Sequence, residues 1–397
     1  MVEIVNRKDL SAWLEGKPRE VAIAITARIS LRFTAHFVRL THLEYRERNV
    51  RDDAIIRNLD DDLFGWLRCL LTACASSVSV DNDHSAAARN AVDWIGFDSI
   101  AYPLSSYPPT YAAYTALLTC KLAQNRVDAV PSDILDIINS NDAGISRVSE
   151  LLDGLEEDDI GEFESSFYEA IDRDIRLLEA GGTAPDLFET PFWPGTSHPE
   201  HKETIHEFLD FLNSSDLFAF WKRWYRGLLH GQPLSWDMQE EIALINDEVW
   251  KAGAEAVAGE IAKIEAKYAL RAALEKIEPT TKNLEIDRRR IGGNNPPEAI
   301  EDGMSAERVV EIVWADIETL KEEVEAETPS KSRIETAAQS LQNALVMISK
   351  WCGGKLDKIV DEAIKWGTPA ALTYFAAYSE EFKTVIELAK AYAKSLG

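Results

Sequence analysis

Apolar residues recur three and four positions apart through most long segments of the chain, the period of an amphipathic α-helix. Val21, Ile25, Ile29 and Phe33 lie four apart with Ala22, Ala24 and Ala27 between them, which predicts a helix over about 20–40. Ile55, Leu59, Leu63, Trp66, Leu67, Leu70 and Leu71 predict a second over about 54–76. Segments 85–95 and 109–124 read as two more, and 131–154 as one or two short ones. The stripe Ile160, Phe163, Phe167, Ile171, Ile175 and Leu178 continues until Gly181-Gly182, where a left-handed glycine is expected to stop it. A proline-bearing loop follows at 183–200. Helices then resume over about 201–213, 216–230, 235–250 and 253–277.

The helical pattern breaks at Ile291-Gly292-Gly293-Asn294-Asn295-Pro296-Pro297-Glu298, a run that cannot continue a helix. Beyond it, Val310, Val313, Ile317, Leu320 and Val324 form a seam alternating three and four apart. Ser332 and Glu335 have capping-box spacing, and Ile334, Ala338, Leu341, Leu345 and Ile348 form the next stripe. Phe382, Val385, Ile386, Ala389 and Ala393 make the last. No strand alternation competes with these stripes. The expected fold is all-α: a helical domain at 1–278, a linker at 279–303 and a helical bundle at 304–397.

Charge narrows the partners. The 397 residues carry 68 acidic and 42 basic side chains, a net charge of −26. A field of that sign repels phosphate backbones and anionic membranes, so nucleic acid is not an expected partner. The charge is uneven: residues 1–51 hold 10 bases and 6 acids, whereas 127–172 hold 14 acids and the single base Arg147. Cys69, Cys74, Cys120 and Cys352 form no CxxC pair or disulfide framework. The opening residues lack an apolar signal core and no run of about 18 apolar residues occurs, which together point to the cytoplasm.

Motifs for chemistry are sparse. His198, His201 and His206 cluster, but their gaps match no standard metal-ligand spacing, and solvated histidines are the expected reading. His36 and His42 lie among Arg32, Arg39 and Arg46, a cluster read as a solvated basic face able to meet the 150–164 acidic stretch. Cys352 fits a buried stripe. Gly353-Gly354-Lys355 lacks the rest of a phosphate loop, with Leu356 where a hydroxyl is needed. No metal, cofactor or catalytic residue is assigned.

Aromatic residues concentrate between Trp221 and Trp236, and Trp221, Trp224 and Leu228 share one helix face. A core is the ordinary role of such a cluster; an interaction surface at Trp221, Trp224 and Tyr225 is the sharper one. The pattern Trp221-x-x-Trp224-Tyr225-x-x-Leu228-x-x-Gly231, with Glu241-Ile242-Ala243, Ile245 and Trp250, resembles uncharacterised modular helical proteins of alphaproteobacteria. Ala24-Ile25-Thr26-Ala27-Arg28 is similar to their early helix. Ile291 to Glu298 resembles their Ile-Gly-His-Asn-x-Pro-Pro-Glu junction, with Gly293 in place of the histidine. The resemblance implies a modular helical architecture and carries no activity.

The expected function is a non-enzymatic interaction or adaptor protein that associates with itself, through the aromatic patch or through Val313 and Ile317. The rival expectation is a membrane-active effector of a bacterial defence system. Its contact would be the uncharged stretch 368–378, at Leu372, Tyr374 and Phe375. An enzyme with a site assembled from scattered residues is the third possibility.

Overall fold

The computed structural model describes residues 3–14, 17–47, 53–79, 84–95, 157–193, 199–290, 299–301, 304–351 and 379–397. The chain divides into two compact units, Met1–Glu260 and Ile261–Gly397. The all-α expectation holds: the described residues are helical apart from short connections and one small pairing of β1 (Ala299–Glu301) with β2 (Met304–Ser305), antiparallel, Ala299 opposite Ser305.

In the first unit, α1 (Arg7–Leu14), α2 (Arg19–Glu47), α3 (Asp53–Val78) and α4 (Ser85–Ile95) precede α5 (Glu157–Glu179) and the short α6 (Ala184–Phe188). After these come α7 (Pro199–Leu212), a 3₁₀ turn at Asp216–Phe218, α8 (Ala219–Leu229), α9 (Trp236–Ala243) and α10 (Asp247–Lys251). Helix α2 packs on α3 and α7, and α3 also packs on α4 and α9.

Every residue from Ala22 to Arg32 is buried, so this stretch of α2 is enclosed on all sides rather than amphipathic. Its hydroxyls are accommodated by turning back on their own helix. Thr26 Oγ1 donates to Ala22 O, Ser30 Oγ to Thr26 O and Thr34 Oγ1 to Ser30 O, each at 2.8 Å. Helix α3 is enclosed over residues 63–75 in the same way.

The end of α5 forms as the glycines predict. Gly181 has φ +94°, its N–H meets Leu178 O at 3.1 Å, and Gly182 N–H meets Leu177 O at 3.0 Å. This pairing satisfies carbonyls of the last turn. Thr183 then caps α6 reciprocally with Asp186. The chain emerges as a strap, Glu189–Trp193. Gly231, at φ +67°, packs against that strap so closely that a Cβ there would lie 2.5 Å from Glu189 O. Phe192 N–H donates to Leu229 O at 3.1 Å, fixing the strap to the end of α8.

The long helix α11 (Ala254–Arg290) begins in the first unit and supplies the second with Leu270, Ala273, Leu274 and Ile277. These pack with Val309, Val313, Ile317, Leu320 and Val324 of α12 (Ala306–Glu325). Ile334, Ala338, Leu341 and Ile348 of α13 (Lys331–Trp351) and Phe382, Val385, Ala389 and Tyr392 of α14 (Ser379–Ser395) complete the core.

The division into units falls within α11, at 260/261, and α11 runs on through Pro279, which removes one backbone donor without ending the helix. One sequence expectation is corrected here. The cap of α13 is Ser330 rather than Ser332: Ser330 Oγ accepts from Arg333 N–H at 3.4 Å. The 291–298 part of the expected linker, and the stretch 352–378, lie outside the described residues.

Candidate functional site

Two helices of the first unit carry polar side chains spaced four apart on one face. Helix α2 presents Arg28, Arg32 and His36; helix α5 presents Ser166 and Asp174, with Ala170 midway. Arg28 meets Asp174, while His36 lies 5.5 Å from the Phe167 ring, so the two helices run antiparallel along this seam. All five polar side chains are buried, as is His201 from α7.

At one end of the seam two guanidiniums share one carboxylate oxygen. Arg28 Nε donates to Asp174 Oδ2 at 2.8 Å, and Arg32 Nη2 donates to the same oxygen at 2.5 Å. Carbonyls of the strap take further donors. Arg28 Nη2 reaches Thr190 O and Pro191 O at 2.8 Å each, and Arg32 Nε reaches Phe192 O at 2.8 Å. Arg173, 35% exposed, lies 3.4 Å from Asp174 Oδ1 and donates to Pro191 O and Phe192 O. The Nη1 atoms of Arg28 and Arg32 are buried and have no hydrogen-bond partner among the described residues.

Burial lowers the pKa of both guanidiniums, with Asp174 opposing it; Arg32 falls to about 9. Arginine side chains in proteins stay protonated, so both are cationic at neutral pH. Two buried positive charges face one buried negative charge. Cys74, close enough to feel Arg28, adds no compensating charge, because burial pushes its thiol well above the ordinary range.

At the other end, Ser166 Oγ contacts His201 Nε2, and His201 Nδ1 lies 2.8 Å from His36 Nε2. Trp193 at the end of the strap stacks on His201 with centroids 3.9 Å apart and planes at 19°. The Arg32 guanidinium lies 5.9 Å from the Trp193 ring, which connects the two ends. If Ser166 donates to His201 Nε2, the His201 proton is on Nδ1 and His36 accepts through Nε2. That arrangement is a continuous relay from a hydroxyl through two neutral imidazoles.

The positions singled out from sequence fall elsewhere. Trp221, Trp224 and Tyr225 are fully enclosed, Trp221 against Phe64, Trp224 and Trp250 and Tyr225 against Phe192 and Phe208, so they are core rather than an open interaction surface. Trp224 Nε1 donates to Gln239 Oε1 at 2.7 Å, and Tyr225 Oη donates to Leu31 O at 3.3 Å. Val313 and Ile317 are likewise spent inside the second unit's core. His201 and His36 are buried rather than solvated, and Arg32 pairs with Asp174 rather than with the 150–164 stretch. His206 is exposed, 3.5 Å from Asp210. Among the described residues no cluster of His, Cys, Asp or Glu is suited to a metal ion. No helix among them is long and apolar enough to cross a membrane. Leu372, Tyr374, Phe375, His198 and Cys352 lie outside the described residues.

Sequence reasoning missed Arg28, Asp174, Ser166 and Trp193. The available signal was Arg-x-x-x-Arg-x-x-x-His, three polar residues on one face of a helix otherwise built to be buried. No protein-family model, curated protein or solved structure matches the chain.

Proposed function

We propose that the first unit is a binding module for a small anionic group, phosphoryl or carboxylate, held by Arg28 and Arg32. The observation that carries this reading is the charge imbalance of the seam among the described residues: two enclosed guanidiniums against the single carboxylate of Asp174, each guanidinium keeping an Nη1 without a partner there. An unbalanced buried charge costs several kcal/mol on general grounds. An anion supplies both the missing charge and acceptors for the Nη1 donors, and planar guanidiniums suit phosphate and carboxylate geometry. The expected adaptor role through Trp221, Trp224, Tyr225, Val313 and Ile317 has less support, since those side chains are enclosed in their own units.

The test is thermal unfolding of the full chain in phosphate, pyrophosphate, acetate and succinate, against chloride at equal ionic strength. A ligand at 100 times its Kd adds about 2.7 kcal/mol to the folded state. The expected result is a concentration-dependent rise in Tm with at least one oxyanion, reduced in Arg32→Lys and Arg28→Lys. Equal Tm in every anion, or an identical rise in both variants, would reject the reading.

A further inference from the structure

We propose that Ser166 is the nucleophile of an acyl-transfer site, with His201 as its general base and His36 positioning His201, acting on an ester that carries an anionic group. The anionic part of this inference rests on the binding reading above; the nucleophile stands on separate geometry. It also departs from the expectation of a protein without enzymatic activity.

Three observations converge on Ser166. Its Oγ contacts His201 Nε2, the ring nitrogen from which a base acts. The opposite nitrogen of that ring, Nδ1, lies 2.8 Å from His36 Nε2; when His36 accepts there, His201 Nε2 is the nitrogen that takes the serine proton. The ring plane is set by Trp193, stacked at 3.9 Å, and by Phe167, edge-on at 4.8 Å. A nucleophile, a base in contact with it and a third group orienting the base make up the arrangement that activates hydroxyls on unrelated folds. His36 stands where a carboxylate is more usual. Because it is neutral when it accepts, it orients His201 without stabilising the imidazolium by a full charge.

The chemistry balances without a cofactor. Ser166 Oγ attacks the carbonyl carbon of the ester while His201 Nε2 takes its proton. The bond to the leaving alcohol breaks, and His201 returns that proton to the departing oxygen. Water then gives a proton to His201 and attacks the acyl-serine. The bond to Oγ breaks, Oγ recovers the proton, and a carboxylic acid leaves. Arg32 and Arg28 lie one and two steps of four residues along α2 from His36, about 6 and 12 Å along the helix axis. An anionic group on a substrate bound at Ser166 falls within that span.

Ser166 is only 6% exposed, so access to it requires the surrounding face to open. The experiment is incubation of the full chain with an alkyl fluorophosphonate, read by intact mass and peptide mapping. The phosphorus–oxygen bond forms at Oγ, fluoride leaves, and the serine proton passes to His201. The expected result is one adduct, on Ser166, absent from protein in denaturant. His201→Gln should slow labelling at least 100-fold. His36→Gln, which keeps an acceptor, should retain more of the rate than His36→Phe.

An unlabelled Ser166 in folded protein would overturn the proposal, as would equal labelling in His201→Gln with circular dichroism unchanged. The phosphate titration of Tm on the same samples separates the two readings. Ser166→Ala should keep the anion-dependent Tm rise while losing the adduct. Labelling without an anion effect would retain the nucleophile and remove the anionic requirement on the substrate.

Discussion

His201 Nδ1 and His36 Nε2 stand 2.8 Å apart although 165 positions separate them in sequence. Two ring nitrogens at that distance share a single proton, so one of the imidazoles is neutral and accepts. The contact ties α7 to the middle of α2 at the point where both are enclosed.

His36→Phe is expected to keep the ring packing against Phe167 while leaving His201 Nδ1 without this acceptor. A buried donor deprived of its partner costs about 1–3 kcal/mol. Urea unfolding of the full chain measures it, with the loss smaller in His36→Gln.

Asp174→Asn removes the carboxylate that two buried guanidiniums share. Deleting one side of a buried ion pair costs about 3–5 kcal/mol because the remaining charge is uncompensated. Denaturant midpoints are expected to fall accordingly, and saturating phosphate to recover part of the loss.

Gln239 is enclosed and bridges Trp224 Nε1 to Leu234 O, both at 2.7 Å. Gln239→Leu retains the bulk but orphans the indole N–H. The expected loss is about 1–3 kcal/mol. Trp224→Phe, which removes the N–H as well, should recover part of it in a double-mutant cycle.

Two carboxylates give opposite pH signs. Burial works to raise Asp247, but Lys251 and Arg68 outweigh it and hold the group below its ordinary value. Its contribution is present above the unfolded pKa and is lost as pH falls through the folded one. Burial raises Asp316, with Ser340 opposing, so the folded state holds this proton more tightly. Its destabilising effect at neutral pH disappears as pH falls through the raised value. Asp316→Asn should therefore stabilise the second unit at neutral pH, whereas Asp247→Asn should destabilise the first. Separate melts at pH 7 and pH 4 test both.

The second unit's core includes Leu270, Ala273, Leu274 and Ile277, all N-terminal to the expected linker. A fragment starting at residue 261 should show a cooperative thermal transition. A fragment starting at 304 lacks those four side chains and should melt earlier or without cooperativity. Val313→Asp should abolish the transition in the longer fragment, since it places a charge in that core.

The helices were legible because their apolar periods are regular, and the Gly181 stop was legible because a left-handed glycine is a local event. The membership of the second unit's core was not: Leu270, Ala273, Leu274 and Ile277 join a core completed by α12, α13 and α14, which no local window contains. The seam was hidden for the same reason. Arg32 and His36 read as solvated because charged residues usually are, and their partners Asp174, Phe192 and His201 come from positions 138 or more residues away. Trp221 and Val313 show the converse: an apolar stripe is visible in sequence, but whether it faces another chain or its own core depends on what the fold places opposite.

The four-residue spacing of Arg28, Arg32 and His36 makes this stretch of α2 intolerant of length change. One residue inserted after Arg28 would rotate everything downstream by about 100° and lift it by about 1.5 Å. Arg32 would then turn from Asp174 and His36 from His201. Substitutions here are graded in their effect, whereas insertions and deletions are all-or-none. Drift in chain length is thus barred from the middle of α2 and confined to connections that carry no phase.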